Sequence, residues 1–162
     1  MKERLFVAVM GQQNAGKSTT WNSLFGRTVR TGQHARHLEL RPGECVEVFL
    51  ISGSFEERKL YGPDVLGTQN ASIILCSVQY VKQVQTTLDF ALDNGFEVHV
   101  QWLNPGYSDA GEFDKLGLVP VLLSRDATVS IRDGRLSPAE RVQEIRELIY
   151  GWALYRNLII RC

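Results

Sequence analysis

The residues with the clearest chemical meaning are residues 11–18, GQQNAGKS, which fit the pattern G-x-x-x-x-G-K-[ST]. The two glycines, Gly11 and Gly16, permit backbone conformations and close approaches that a side chain would block, so successive N–H groups can face one concavity. Such donors at the N-terminus of a helix bind phosphate oxygens. The pattern therefore predicts a site for the phosphates of a nucleoside triphosphate, ATP or GTP.

Each position of this loop has an expected role. Lys17 would place its ammonium group on the β and γ phosphates and stabilise the charge that develops there, and the Ser18 hydroxyl would bind Mg²⁺. The residues expected to contact the nucleotide are Gly11, Gln12, Gln13, Asn14, Ala15, Gly16, Lys17, Ser18 and Thr19. The alternative is a glycine-rich turn that only joins two elements.

The surroundings of the loop favour phosphate binding. Residues 5–10, LFVAVM, form a continuous apolar run that is typical of a strand buried on both faces. Residues 17–25 predict a helix with an apolar inner face, and Gly26 is placed to end it. A phosphate loop must follow a buried strand and open a helix, and this loop meets both conditions.

Residues 7–26, VAVMGQQNAGKSTTWNSLFG, resemble the first strand, phosphate loop and first helix of P-loop GTPases. The loop is most similar to the bacterial branch that reads G-x-x-N-x-G-K-[ST], as in Era-type proteins and the G domain of the ferrous-iron transporter B. Asn22, Leu24 and Gly26 match the N-x-L-x-G-like ending of that branch. The resemblance implies that Asn14 coordinates K⁺ beside the β and γ phosphates; the alternative is an asparagine that serves the loop's own backbone.

The acidic motif of such GTPases is incomplete in this chain. At the D-x-x-G position, Leu50 replaces the aspartate that supports Mg²⁺, whereas Gly53 fits the glycine. Glu56 or Glu57 is the available substitute acid, and the alternative is that both glutamates are simply solvated.

Two further GTPase motifs also match this sequence only in part. Thr31 is the expected second hydroxyl ligand of Mg²⁺, with Thr28 as its alternative, and an ordinary loop role fits either residue. The base-reading motif N-K-x-D begins with Asn104 and then departs, with Asp109 two positions late, and Ser124 fits only loosely where the S-A-K loop is expected. The sequence therefore does not separate GTP from ATP.

The remaining apolar runs alternate between strand and helix patterns. They predict strands at 37–40, 45–51, 72–78, 96–103 and 119–124, helices at 81–92 and after a capping box at residues 137–140, and short helices after residue 63 and at 112–116. Alternation of this kind predicts one α/β domain over residues 1–162, a three-layer α/β/α sandwich of the P-loop class with a mainly parallel sheet.

Composition excludes several classes of protein. Eighteen basic and eighteen acidic residues give a net charge of zero, so no overall field attracts nucleic acid or an anionic membrane. No apolar segment approaches the roughly 20 residues that a membrane span requires. Cys45, Cys76 and Cys162 predict neither a disulfide framework nor a zinc site, and their pattern suits a reducing, cytoplasmic compartment. The aromatic end, residues 150–160, predicts either core or a docking surface for a protein partner.

Three functions fit these residues. The first is slow, Mg²⁺-dependent hydrolysis or a nucleotide switch, with Gln79 as the candidate that positions water. The second is a small-molecule or nucleotide kinase of the P-loop class, with Arg125 as a charge stabiliser and the 54–70 or 104–111 loop over the acceptor. The third is an interaction module that nucleotide only stabilises.

Overall fold

The structure is a computed structural model and describes residues 2–104 and 113–162. Strands and helices alternate along the chain, as predicted. Their bounds are β1 (Arg4–Met10), α1 (Lys17–Phe25), β2 (Arg36–Arg41), β3 (Glu44–Ile51), α2 (Gly62–Leu66), β4 (Ile73–Val78), α3 (Val84–Asp93), β5 (Phe96–Leu103), α4 (Leu118–Ser124), β6 (Thr128–Arg132), α5 (Ala139–Leu154) and β7 (Ile160–Arg161).

The strands form one mainly parallel sheet in the order β2-β3-β4-β1-β5-β6. β1 pairs in parallel with β4 and β5, and the outer pairs β3–β4 and β5–β6 are also parallel. β2 and the short β7 run antiparallel to β3. Because β4 lies between β3 and β1, the residue that follows β4, Gln79, comes next to the loop that follows β1.

Alternate residues of β1 belong to two separate cores, one on each face of the sheet. Phe6, Ala8 and Met10 pack with the core that includes α3 and α4. Leu5, Val7 and Val9 pack with the core that includes α1 and α5. This burial on both faces explains the continuous apolar run of β1. The arrangement confirms the predicted α/β/α sandwich.

The prediction of a strand at 119–124 is wrong, because these residues form α4. Pro120 lies in the first turn of this helix, where its missing N–H removes no hydrogen bond. The Asp114 carboxylate accepts the N–H groups of Leu118 at 2.9 Å and Val119 at 2.8 Å, and so caps the helix. The last strand beside β5 is instead β6, whose sequence TVSIR alternates and is rich in β-branched residues.

Two predicted helix starts also need correction. Residues 113–116 form turns rather than a short helix, and Glu112 lies outside the described residues. The capping box at residues 137–140 does not form: Pro138 occupies the N-cap position of α5, and no side chain caps that helix. The inner face of α5 is as predicted, with Val142, Ile145 and Ile149 buried.

The prediction that the cysteines form no disulfide framework is wrong, because a disulfide joins Cys45 of β3 to Cys162. The two residues are 117 positions apart in the sequence, and only the pairing of β7 with β3 brings their Cα atoms to 5.9 Å. Cys76 is free and buried. Among the described residues, no helix is long and apolar enough to span a bilayer.

The aromatic end of the chain divides between the two predicted alternatives. Trp152 is buried in the core on the α5 side of the sheet, whereas Tyr155 is 85% exposed. Tyr150 packs at the edge of that core, and the Arg41 guanidinium lies 3.7 Å from the centre of its ring.

Candidate functional site: the phosphate loop and its flanks

The glycine-rich loop lies at the carboxyl end of β1 and leads into α1. The Gly11 N–H donates to the Val78 carbonyl at 3.1 Å, which ties the start of the loop to the end of β4. Gly16 has φ of +108°, a left-handed conformation that L side chains rarely adopt. Asn14 is also left-handed, with φ of +64°. Of the two predicted glycines, Gly16 thus has the unusual conformation, whereas Gly11 does not have a positive φ and is required by a close approach, since a Cβ there would lie 2.7 Å from Ala15 Cβ.

Where the loop runs into α1, four consecutive backbone N–H groups have no acceptor among the described residues. They belong to Gly16, Lys17, Ser18 and Thr19, at the N-terminus of α1. An open cleft of about 360 Å³, the phosphate cleft, lies against these residues. Its lining is Gln13, Asn14, Gly16, Lys17, Ser18, Thr19, Ser52, Gly53 and Glu57. A helix N-terminus with free N–H groups attracts anions.

The Lys17 side chain lies across the loop and is only 7% exposed. Its ammonium group donates to the carbonyls of Gly11 at 3.0 Å and Gln12 at 2.9 Å. It also forms an ion pair with Glu57, with Nζ and Oε1 2.8 Å apart. A carboxylate therefore holds the position beside Lys17 that the sequence assigned to a phosphate, and Glu57 is not a merely solvated residue.

The two predicted hydroxyl ligands of Mg²⁺ occupy different places. Ser18 lines the phosphate cleft. The Thr31 hydroxyl accepts the N–H groups of Ser52 at 2.9 Å and Gly53 at 3.4 Å. Because Ser52 and Gly53 line the cleft, these bonds hold Thr31 at its rim, without a direct contact to Ser18. Thr28 is exposed.

Gln79 and Glu56 form a second polar group beside the loop. The Gln79 N–H donates to Glu56 Oε2 at 3.2 Å, and the Gln79 side-chain amide lies 3.4 Å from Gln12 Oε1. Burial raises the pKa of Glu56 above its ordinary value, although its bonds to backbone N–H groups and the nearby charge of Lys17 oppose that shift. The candidate glutamine is thus connected to the loop and to one of the two candidate acids.

The back of the loop is held by residues whose roles the sequence did not predict. The Asn104 amide donates to the Ala15 carbonyl at 3.2 Å, and its oxygen accepts the Gly134 N–H at 2.7 Å. The buried Arg141 guanidinium donates to the Thr20 hydroxyl at 3.3 Å and to the Gly16 carbonyl at 3.5 Å. Burial lowers the pKa of Arg141.

Gly134 follows β6 and touches the loop so closely that no side chain fits. A Cβ atom there would lie 2.0 Å from the Ala15 carbonyl oxygen. The segment that supports the loop from this side is therefore the turn after β6, and not Ser124, which lies at the end of α4. A glycine two residues after an alternating strand was the one sequence signal for this contact.

The kinase hypothesis proposed Arg125 as a charge stabiliser at the loop, but the structure places this residue elsewhere. It lies after α4 and forms ion pairs with Asp89, at 3.2 Å, and with Asp93, both on α3. These residues precede the amino ends of β5 and β6, whereas the loop follows the carboxyl end of β1. Residues 105–112, including Asp109 and most of the 104–111 loop, lie outside the described residues.

Comparison with known proteins supports the fold alone. No protein-family model matches the sequence, and no curated protein matches it. The chain is similar to the solution NMR structure of a de novo designed PLOOP2X3_50 fold protein, with a TM-score of 0.54 and 13% sequence identity. The match covers 94% of this chain and 96% of that chain. The protein thus has a P-loop-like α/β fold.

Proposed function

We propose that this protein binds a nucleoside triphosphate with Mg²⁺ at the phosphate cleft and hydrolyses it slowly. The observation that carries the proposal is the run of N–H groups from Gly16 to Thr19 without acceptors, facing a cleft that also contains the Lys17 ammonium group. Phosphate oxygens would accept these N–H groups, and Lys17 would pair with the terminal phosphates in place of Glu57.

The side chains around the cleft fit a magnesium ion. Ser18 and Glu57 line the cleft, and Thr31 lies at its rim, so the available ligands are hydroxyl and carboxylate oxygens. Mg²⁺ prefers oxygen ligands and is bound by few protein groups together with substrate phosphates. When bound, the ion would neutralise charge on the phosphates. Glu57, which is paired with Lys17, is therefore the acid that would replace the aspartate missing at Leu50.

The chemistry that this chain can supply is mainly electrostatic. The loop N–H groups and Lys17 would stabilise charge on the β and γ oxygens as water attacks. Gln79 is connected to the loop through Gln12 and is the candidate that orients the water. Gln79 does not line the phosphate cleft, and its side-chain amide is bonded to Gln12, so we expect slow turnover.

The resemblance to the Era-type and ferrous-iron transporter B branch makes this proposal more specific. Asn14 lines the cleft and would contribute its side-chain oxygen to a K⁺ ion beside the phosphates. The Asn22 side chain, the first residue of the family's N-x-L-x-G-like ending, accepts the Val29 N–H at 2.9 Å and so fixes the segment after α1.

The test is a titration with fluorescent GTP and ATP in the presence of Mg²⁺, in sodium and then in potassium buffer. We expect Lys17→Ala to weaken binding about ten- to hundredfold, since a hydrogen bond to a charged group contributes about 1.5–3 kcal/mol. The matched control is Lys82→Ala at an exposed lysine outside the cleft, which should bind like the native protein.

Tighter binding in potassium would support the role of Asn14, and Asn14→Ala should remove that gain. If neither nucleotide binds the native protein, or if Lys17→Ala binds as tightly as Lys82→Ala, the proposed function is wrong.

A further inference from the structure

Cys45, the second residue of β3, lies at the opposite end of this strand from the phosphate cleft. Ser52 and Gly53, which line that cleft, follow the carboxyl end of β3. At about 3.3 Å per residue, Cys45 and Ser52 are roughly 20 Å apart along the strand. The disulfide therefore belongs to a separate region, the disulfide corner, which comprises Glu39 of β2, Cys45 of β3 and Cys162.

The three side chains of the disulfide corner place metal-binding atoms close together. A carboxylate oxygen of Glu39 and the two sulfur atoms all lie within 4.8 Å of one another. Glu39 Oε2 lies 3.9 Å from Cys162 Sγ. Ligand atoms of a tetrahedral zinc site, each about 2.0–2.3 Å from the ion, are roughly 3.3–3.8 Å apart. The oxygen-to-sulfur distance is therefore close to that of a zinc site, and mainly the two sulfur atoms need to separate.

The contact between Glu39 and Cys162 brings together two groups that accept hydrogen bonds. A disulfide sulfur carries no hydrogen, so Cys162 offers no donor to the Glu39 carboxylate. No basic side chain within residues 2–104 and 113–162 forms an ion pair with Glu39. A cation is the partner that both the carboxylate and a reduced sulfur would attract.

Backbone pairing holds the three side chains near one another independently of the disulfide. Glu39 lies directly opposite Cys45 in the antiparallel pair of β2 and β3. Cys45 lies opposite Ile160 in the pair of β3 and β7, and the Cys162 N–H donates to the Gly43 carbonyl at 3.3 Å. β2 and β3 have six and eight residues, whereas β7 has only two. Opening of the disulfide would therefore leave Glu39 and Cys45 in place and loosen mainly Cys162.

Solvent reaches both ends of the disulfide. Cys45 is only 3% exposed, but together with Glu39 it lines an open cleft of about 420 Å³. Cys162 is exposed and lines another open cleft, of about 560 Å³. A small reductant and a metal ion can therefore approach these two sulfur atoms, whereas Cys76 is fully buried.

We propose that the disulfide corner is a redox-dependent zinc site, in which Zn²⁺ replaces the disulfide as the link between β3 and β7. A dithiol reductant breaks the S–S bond by supplying two electrons and two protons. Its own sulfur atoms form a disulfide, and Cys45 and Cys162 become thiols. Zn²⁺ then binds both sulfur atoms as thiolates, which releases two protons. The Glu39 carboxylate is the third ligand, and water takes the fourth position.

The donor set determines the class of metal ion. Thiolates are soft ligands that select Zn²⁺, whereas Mg²⁺ and Ca²⁺ take oxygen ligands. Two thiolates and one carboxylate carry three negative charges, most of which a divalent ion neutralises. The disulfide corner thus differs in chemistry from the oxygen ligands at the phosphate cleft, and its metal binding is independent of the proposed nucleotide site.

The test is a calorimetric titration with Zn²⁺ of the oxidised protein and of protein reduced with dithiothreitol, which is removed beforehand. Both titrations contain excess Mg²⁺, which occupies sites made of oxygen ligands. We expect one Zn²⁺ per chain to bind after reduction and no Zn²⁺ to bind before it. Co²⁺ in place of Zn²⁺ should give the thiolate-to-metal charge-transfer absorption of a tetrahedral site in the reduced protein only.

Two matched variants test the third ligand. Glu39→Gln should weaken Zn²⁺ binding to the reduced protein at least about tenfold, since even residues that only orient a metal ligand contribute about 10- to 100-fold. Glu47→Gln, at an exposed glutamate of β3 outside the disulfide corner, should bind Zn²⁺ like the native protein. Because both glutamates are exposed, neither substitution disturbs a core.

Exchange of the Cys162 amide hydrogen tests whether the ion replaces the disulfide as a link. Exchange should be slow in the oxidised and zinc-bound proteins and faster in the reduced, metal-free protein, in which β7 separates from Gly43 more often. Reduced protein that binds no Zn²⁺, equal Zn²⁺ affinity before and after reduction, or equal affinity of Glu39→Gln and Glu47→Gln would each overturn the inference.

Discussion

The two flanks of the phosphate loop differ in how completely their polar groups are bonded. At the back, Asn104 bonds both the loop and the turn at Gly134, and Arg141 bonds the Gly16 carbonyl. At the front, the backbone N–H groups of residues 16–19 lack acceptors among the described residues, and Lys17 is paired with a partly exposed carboxylate, Glu57. The back therefore fixes the shape of the loop, whereas the front is the part that can exchange its partners for a ligand.

The bonds at the back hold the loop in the shape that positions the donors at the front. Binding sites lose less free energy on binding when their donors are already positioned. Asn104 supplies that support through two hydrogen bonds to backbone groups that lie far apart in the sequence, at Ala15 and Gly134.

The largest expected effect is a loss of fold stability when the contacts at the back of the loop are disturbed. Gly134→Ala should destabilise the fold by about 1–3 kcal/mol, since its Cβ would lie 2.0 Å from the Ala15 carbonyl oxygen and the loop must shift. Nucleotide affinity should fall with it. Gly151→Ala is the matched control, because a Cβ there meets no atom within 4 Å and the substitution favours the helix. Urea denaturation measures both variants, and equal stabilities would contradict a rigid back.

At the front of the loop we expect a smaller effect, which raises nucleotide affinity instead of lowering it. Glu57→Gln removes the ion pair that competes with phosphate for Lys17, and such a partly exposed pair contributes about 0.2–1 kcal/mol. Nucleotide affinity measured without Mg²⁺ should therefore rise by about two- to fivefold, relative to native protein and to Glu47→Gln. A loss of affinity that appears only with Mg²⁺ would instead make Glu57 a metal ligand.

The smallest effect is a pH dependence of stability from Glu56. Burial raises the pKa of this carboxyl group in the folded state above its unfolded value of about 4.5. Its contribution to stability is therefore full below pH 4.5 and is lost as the pH rises through the folded pKa. Glu56→Gln should gain stability relative to the native protein between pH 4 and pH 8. A difference that does not change with pH would show that Glu56 is not buried as described.

The sequence predicts the loop and its neighbours well because local rules decide them. The bounds of α1 and β5 agree with the predicted 17–25 and 96–103, since buried strands and a glycine-stopped helix leave patterns within a few residues. The mistaken strand at 119–124 shows the limit: a short apolar run fits helix and strand alike, and the cap by Asp114 decides between them.

The support behind the loop could not be predicted in the same way. Asn104, Gly134 and Arg141 come from three separate segments, and no spacing in the sequence links them. The same holds for the disulfide between Cys45 and Cys162, which depends on the pairing of β7 with β3. The front flank could be predicted only in part. Glu57 was one of two candidate acids in the sequence, and only its contact with Lys17 in the structure distinguishes it from Glu56.

The central claim is that the backbone N–H groups at the start of α1 bind a polyphosphate. The most direct measurement is a ¹H–¹⁵N NMR titration of the native protein with Mg²⁺ATP, Mg²⁺GTP and inorganic tripolyphosphate. We expect saturable shifts, the largest in the protein, at the amides of Gly16, Lys17, Ser18 and Thr19, with the Gly151 amide unchanged. Amides of residues 16–19 that stay unchanged at saturating ligand, or shifts confined to other parts of the chain, would contradict it.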